Sequence, residues 1–196
     1  MLVAGAIALS ACGGGERQDA NEPKGQFKVQ VVRASFPEKQ KLAKRSLLRI
    51  AVKNVDTREI PDIAVTLNGL DRRKPDPELA DPSRPVFVIN GRTKSFGNIP
   101  DAQAAAPQGQ ERPAYVNTWT LGKMKPGETK LFEWDVTAVE AGPYRLTYAV
   151  AAGLDGKAVA ILPSGQRPTG LFAGNINGKA PRTKVADDGK TVVNEN

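Results

Sequence analysis

An all-β fold, an antiparallel sandwich of about eight short strands, is what this sequence predicts. Three observations carry the prediction. Eight short segments alternate apolar and polar residues or form brief apolar runs, each closed by a turn former. The 196 residues include 19 Gly and 15 Pro, which favours turns over long helices. Helical periodicity is weak: Arg33 to Lys44 offers a single helix turn, and Pro37 limits it.

The strands follow in order. Phe27 to Val31 alternates as a half-buried strand does, with Phe27, Val29 and Val31 on one face. Leu48 to Lys53 alternates again and stops at Asn54. Ile63 to Leu67 is closed by Asn68-Gly69, and Pro85 to Ile89 by Asn90-Gly91. Val116 to Leu121 precedes Gly122. Lys130 to Val136 puts Phe132, Trp134 and Val136 on one face. Tyr144, Leu146, Tyr148 and Val150 share the next, and Ala158 to Leu162 completes the set.

The N-terminus gives an address. Met1 to Ala11 is uncharged and apolar, with the length of a signal-peptide core and far short of the about 20 residues needed to span a bilayer. Leu9-Ser10-Ala11-Cys12 resembles the bacterial lipobox, an aliphatic residue and two small ones before an invariant Cys. The resemblance implies cleavage between Ala11 and Cys12 and acylation of the Cys12 thiol. It also implies attachment to the cell membrane on its extracytoplasmic face. Two acyl chains make such an anchor stable, at about 0.8 kcal/mol per buried CH₂. The departure from the pattern is that no Lys or Arg precedes the apolar run. Asp after the Cys is the inner-membrane retention signal of such lipoproteins; here Gly13 occupies that position.

Gly13 to Gly25 is polar and Gly-rich, and reads as a flexible tether of roughly 20 Å root-mean-square reach. The chain therefore divides into a signal peptide (1–11), a lipidated Cys and tether (12–25), a β-sandwich domain (26–177) and a disordered tail (178–196), for which a late edge strand is the alternative.

Within the domain, Leu48–Asn54 and Met124–Val150 resemble immunoglobulin-like and fibronectin-like modules of bacterial surface proteins. The shared order is a strand ending in Val-x-Asn, a Pro126-Gly127-Glu128 turn, the pair Phe132 and Trp134, then Gly142-Pro143-Tyr144 opening a hairpin. The resemblance implies a fold and no activity. The paired cysteines of antibody domains are missing, because Cys12 is the single Cys.

Two long loops interrupt the strands. Asn90 to Ala114 exceeds the length common in compact domains, and loops of that length are usually functional or disordered. Its candidate contact residues are Arg92, Lys94, Phe96 and Arg112, with Trp119 just beyond it; core packing is the favoured role of Trp119. Asp71 to Arg84 mixes acids with bases, matches no calcium-loop spacing and reads as solvated.

Catalytic possibilities narrow sharply. There is no His, so no Ser-His-Asp triad, Cys-His pair or His-based zinc site can be built. Gly-rich phosphate loops are missing. No cofactor or metal is expected. The formal charge of +7 concentrates at Lys39, Lys41, Lys44, Arg45 and Arg49, and at Arg72, Arg73 and Lys74. A dispersed, solvated basic surface is the favoured reading; for a tethered protein the charge otherwise suits anionic lipid, an envelope protein or an anionic polymer, and an extracytoplasmic address argues against nucleic acid. The expectation is a non-catalytic binding or structural module of the cell envelope. The alternative is an accessory enzyme or solute-binding component whose site is not visible in the sequence.

Overall fold

Alternating strands bury one face each, and two sheets are needed to close the core. The computed structural model describes residues 22–70, 85–90, 117–179 and 183–194. Among them there is no helix. Ten strands build two sheets: β1 (Gly25–Ser35), β2 (Lys39–Lys41), β3 (Arg45–Asn54), β4 (Ala64–Asn68), β5 (Phe87–Ile89), β6 (Thr118–Thr120), β7 (Thr129–Ala138), β8 (Gly142–Ala151), β9 (Ala158–Ile161) and β10 (Thr169–Asn177). The first sheet runs β5-β7-β3-β1-β9 and the second β2-β10-β8-β4-β6. The protein is an all-β, immunoglobulin-like sandwich, with β1 in the first sheet and the next strand, β2, in the second.

The expected inward faces are the ones that pack. Leu48, Ile50 and Val52 of β3 and Phe132, Trp134 and Val136 of β7 face Val65 and Leu67 of β4 and Leu146, Tyr148 and Val150 of β8. Trp134 stacks on Phe132 at 6.0 Å. The edge strands β2, β5, β6 and β9 have three or four residues each, which limits the open hydrogen-bonding edge they present.

Four expectations change. Two pairings are parallel, β1 with β9 and β10 with β2, both at sheet edges; the remaining pairs are antiparallel. Arg33 to Lys44 makes no helix turn. It ends β1, crosses to the second sheet at Pro37, forms β2 and returns through Ala43, whose φ of 59° is left-handed. A bulge between Val31 and Arg33 leaves Val32 as the extra residue, 46% exposed.

The strand β10 was not expected at all. Its inward positions include Gly170 and Gly174, so it lacks the alternation that marks a strand. Both glycines are sterically required. A Cβ at Gly170 would strike the Tyr148 ring, and one at Gly174 the Glu38 carbonyl and the Tyr144 hydroxyl. The neighbours supply the apolar mass that β10 omits.

The fourth change lies past Asn177, where a disordered tail was expected. Residues 183–194 form a separate hairpin of β11 (Thr183–Val185) and β12 (Val192–Asn194). Asp188 accepts the backbone N–H of Lys190 and of Thr191, and Gly189 sits at φ +67°. Asp-Gly is the turn signal that selects a hairpin here. Residues 1–21, which hold the expected signal peptide, Cys12 and most of the expected tether, fall outside the described residues, as do residues 71–84 and 91–116.

Candidate functional site

The strands give the sandwich two ends about 30 Å apart, the length of ten-residue β3. The near end is where the chain arrives before β1. It carries the β3–β4, β6–β7 and β8–β9 connections. Glu22 docks the arriving chain there, accepting the N–H of Asp155 (2.7 Å) and of Ala158 (2.5 Å) over Gly153.

Buried polar side chains cross-link the near end. Asn54 is fully buried; its Nδ2 donates to the carbonyls of Arg58 (3.0 Å) and Met124 (2.9 Å), and its Oδ1 accepts the Asp56 N–H (2.9 Å). Lys130 is buried too, and its ammonium donates to the carbonyls of Leu121 (2.6 Å) and Lys123. Thr120 donates its hydroxyl to Asp62 and accepts the Gly122 N–H (3.2 Å). Burial pushes the Asp62 carboxyl up to about 6; the Gly122 N–H and Lys130 pull it down, and Glu22 adds to the rise. The Arg58 hydrogen bond, helped by backbone N–H groups, brings Asp56 down to about 2 against the burial effect. Four ion pairs form here: Asp56 with Arg58 (3.2 Å), Glu59 with Lys123 (3.9 Å), Glu128 with Lys130 (3.9 Å) and Asp155 with Lys157 (2.6 Å); Lys24, Lys28, Lys53 and Lys125 of this end are in none among the described residues.

The far end is built differently. Phe36, at the crossing into β2, packs edge-on against Phe87 (5.4 Å), Tyr144 (5.6 Å) and Phe172 (6.1 Å). The Pro37 carbonyl accepts the Tyr144 hydroxyl and the Gln40 side-chain N–H (3.0 Å). Burial raises the Tyr144 hydroxyl above its ordinary range, with the Gln40 amide opposing and Glu38 adding to the rise. This apolar box holds β2 rigidly against β10.

On that mount sit the bases singled out in the sequence, but they do not form one patch. Lys39 and Lys41 alternate with buried Gln40 and face outward from the second sheet. Arg45 and Arg49 belong to β3, on the outer face of the first sheet, where they pair with Asp135 and Glu133. The Asp135 carboxyl is held below its usual range, chiefly by the Arg45 hydrogen bond and against its burial. Lys44 lies in the turn between them. Arg72, Arg73 and Lys74 fall outside the described residues.

Two bases that the sequence did not single out complete a cluster. Arg145 projects from the outer face of β8, two strands from β2 and so about 10 Å across the sheet. Lys179 follows β10, its N–H held by Asn177 Oδ1 (2.9 Å). Backbone bonds from Leu42 to Asn177 (3.0 Å) and from Lys44 to Lys41 (3.2 Å) draw Lys41, Lys44 and Lys179 to one corner. Lys39, Lys41, Lys44, Arg145 and Lys179 are exposed and form no ion pair among the described residues. The acids nearby are exposed Glu38 and half-buried Glu140.

Of the expected contact residues, Trp119 lies within the described part. It sits on β6, half-buried, with its ring edge-on to Trp134 at 5.3 Å. It thus closes the core at a sheet edge. Arg92, Lys94, Phe96, Arg112, Ala11 and Cys12 lie outside the described residues. Among those described, no three acidic, Cys or His side chains gather closely enough to hold a metal. No helix there is long and apolar enough to cross a membrane.

Comparison with solved structures returns similarity to a CARDB domain from Pyrococcus furiosus, crystallised with di-metal ions. It is 14% identical, covering 78% of this chain and 94% of that one at a TM-score of 0.42. Salmonella alpha-2-macroglobulin is 14% identical over 80% of this chain and 7% of its own, at a TM-score of 0.39. A beta-glucosidase from Listeria innocua is 15% identical over 78% and 16%, at 0.35. The sequence itself matches no protein-family model and no curated protein.

Proposed function

We propose that the protein is a lipid-tethered, non-catalytic binding or structural module, held by Cys12 at the extracytoplasmic face of the cell membrane. The observation that carries this reading is Leu9-Ser10-Ala11-Cys12, at the end of an uncharged apolar run and containing the chain's single Cys. The described structure is compatible with it. Glu22, ten residues after Cys12, docks at one end of the sandwich, so a membrane anchor there would leave the other end free to meet partners. An envelope protein or anionic polymer is the partner class that the unmatched bases suit.

Mass spectrometry of the mature protein tests the anchor. The expected product begins at Cys12 and carries acyl chains, and Cys12→Ser moves the protein from the membrane to the soluble fraction. An intact Met1–Ala11 segment or an unacylated Cys12 would overturn the reading.

A further inference from the structure

We infer that the far-end corner formed by Lys39, Lys41, Lys44, Arg145 and Lys179 docks a linear polymer bearing repeated anionic groups. This deepens the reading of the protein as a binding module by naming a surface and a partner chemistry. The choice of a polymer over a lipid surface rests on that reading, because it uses the N-terminal anchor; the basic corner itself does not.

The bases at the far end are gathered at one corner as well as unpaired. The near end has four ion pairs, and beside them Lys24, Lys28, Lys53 and Lys125 are in no ion pair among the described residues. At the far end these five bases are exposed and without ion-pair partners among the described residues. Unmatched like charges repel, so their gathering at one corner raises the local potential and favours an anionic partner.

The corner is also preorganised. Tyr144, Gln40 and the Phe36 contacts fix β2, and main-chain bonds fix the turn at Lys44 and the exit from β10. Exposed Asn175 and Asn177 lie in register with Lys39 and Lys41, adding amide groups between the charges. Arg145 stands about 10 Å from β2, so the charges span several neighbouring anions. A single small anion would meet a fraction of them. A chain of anions meets them together and gains from the multivalency.

A polymer is favoured over a lipid surface by direction. The N-terminal segment docks at the opposite end of the sandwich, about 30 Å away. The corner therefore points away from that attachment.

The test uses the full-length chain and three probes: linear polyphosphate, neutral dextran, and vesicles containing phosphatidylglycerol. Polyphosphate is expected to bind, with an affinity that falls steeply with salt. The triple variant Lys39→Gln, Lys41→Gln, Lys44→Gln should lose about tenfold or more and flatten the salt dependence. A control with equal charge change, Lys24→Gln, Lys28→Gln, Lys125→Gln, should bind within about twofold of the parent. Should the first triple fail to fold, Arg145→Gln with Lys179→Gln replaces it, with a loss of several-fold expected. Equal losses in the far-end and control variants, no binding to polyphosphate, or equal binding to dextran would overturn the inference. Preferential binding to the vesicles would overturn the choice of a polymer. None of these outcomes bears on acylation at Cys12, which is measured separately.

Discussion

The two ends of this sandwich solve the same problem, holding loops without a helix or a disulfide, by opposite chemistry. The near end uses buried polar side chains: Asn54, Lys130 and Asp62 each bond groups from other connections. The far end uses an aromatic box around Phe36 and close backbone approach at Gly174. Polar cross-links require their partners to be matched, because an unpaired buried group costs free energy. Aromatic packing imposes no such requirement on the surface above it. The far end can therefore carry unmatched charge without weakening its own support, while at the near end the buried Lys130 ammonium is held by two carbonyls and by Glu128.

The sharpest way to break the far end is steric. Gly174→Ala places a Cβ against the Glu38 carbonyl, and β2 must move away from β10. We expect a loss of about 2–4 kcal/mol in denaturant unfolding. The matching lesion at the near end is electronic. Asn54→Ala takes this donor from the Arg58 carbonyl and this acceptor from the Asp56 N–H, leaves the Met124 carbonyl with the Ile60 N–H alone, and should cost about 2–3 kcal/mol. If Asn54→Ala were harmless while Gly174→Ala unfolded the protein, polar cross-linking of the near end would be refuted.

Acidity distinguishes the near end more finely. Asp62 is raised to about 6, so the folded state binds more protons than the unfolded chain between about pH 4 and 6. Its contribution is present at low pH and is lost as pH rises through 6. Asp56, lowered to about 2, acts oppositely: its contribution is present at neutral pH and is lost as pH falls from about 4 toward 2. Asp62→Asn keeps an acceptor for the Thr120 hydroxyl and removes the poorly solvated charge. It should gain about 1 kcal/mol at pH 7, discounted for partial solvent access, and nothing at pH 4. Thermal melts at the two pH values check this; a loss at pH 7 would show that the charge stabilises the near end. The smallest effect is at the far-end turn. Ala43 holds φ at 59°, and Ala43→Gly should gain about 0.5 kcal/mol by relieving it, measured by chemical denaturation.

Much of the core was legible in the sequence, for a local reason. In the middle of β3 and β7 and along β8, alternate residues are large and apolar, and those residues line the core. The turns at Asn54 and at Pro126-Gly127-Glu128 were readable too: Gly127 takes φ +77°, and Glu128 accepts the Lys125 N–H at 2.7 Å. What was illegible is equally specific. The inward glycines of β10 carry no periodic signal, because their space is filled by the Tyr144 and Tyr148 side chains of β8 and by the main-chain carbonyl of Glu38. Lys39 and Arg45 are neighbours in sequence, yet the chain changes sheets between them. Arg145 and Lys179 join Lys39 and Lys41 only through strand pairing.

By itself, then, the sequence determined the all-β class and the faces that turn inward, since alternation and turn chemistry act over a few residues. It also holds the lipobox pattern on which the proposed anchor rests. Tertiary structure decided that the strands divide between two sheets at Pro37, that two edge pairings run parallel, and that five exposed bases gather at one corner. Those outcomes depend on which distant strands pair, and pairing joins residues as far apart as Lys39 and Asn175 that no local pattern connects.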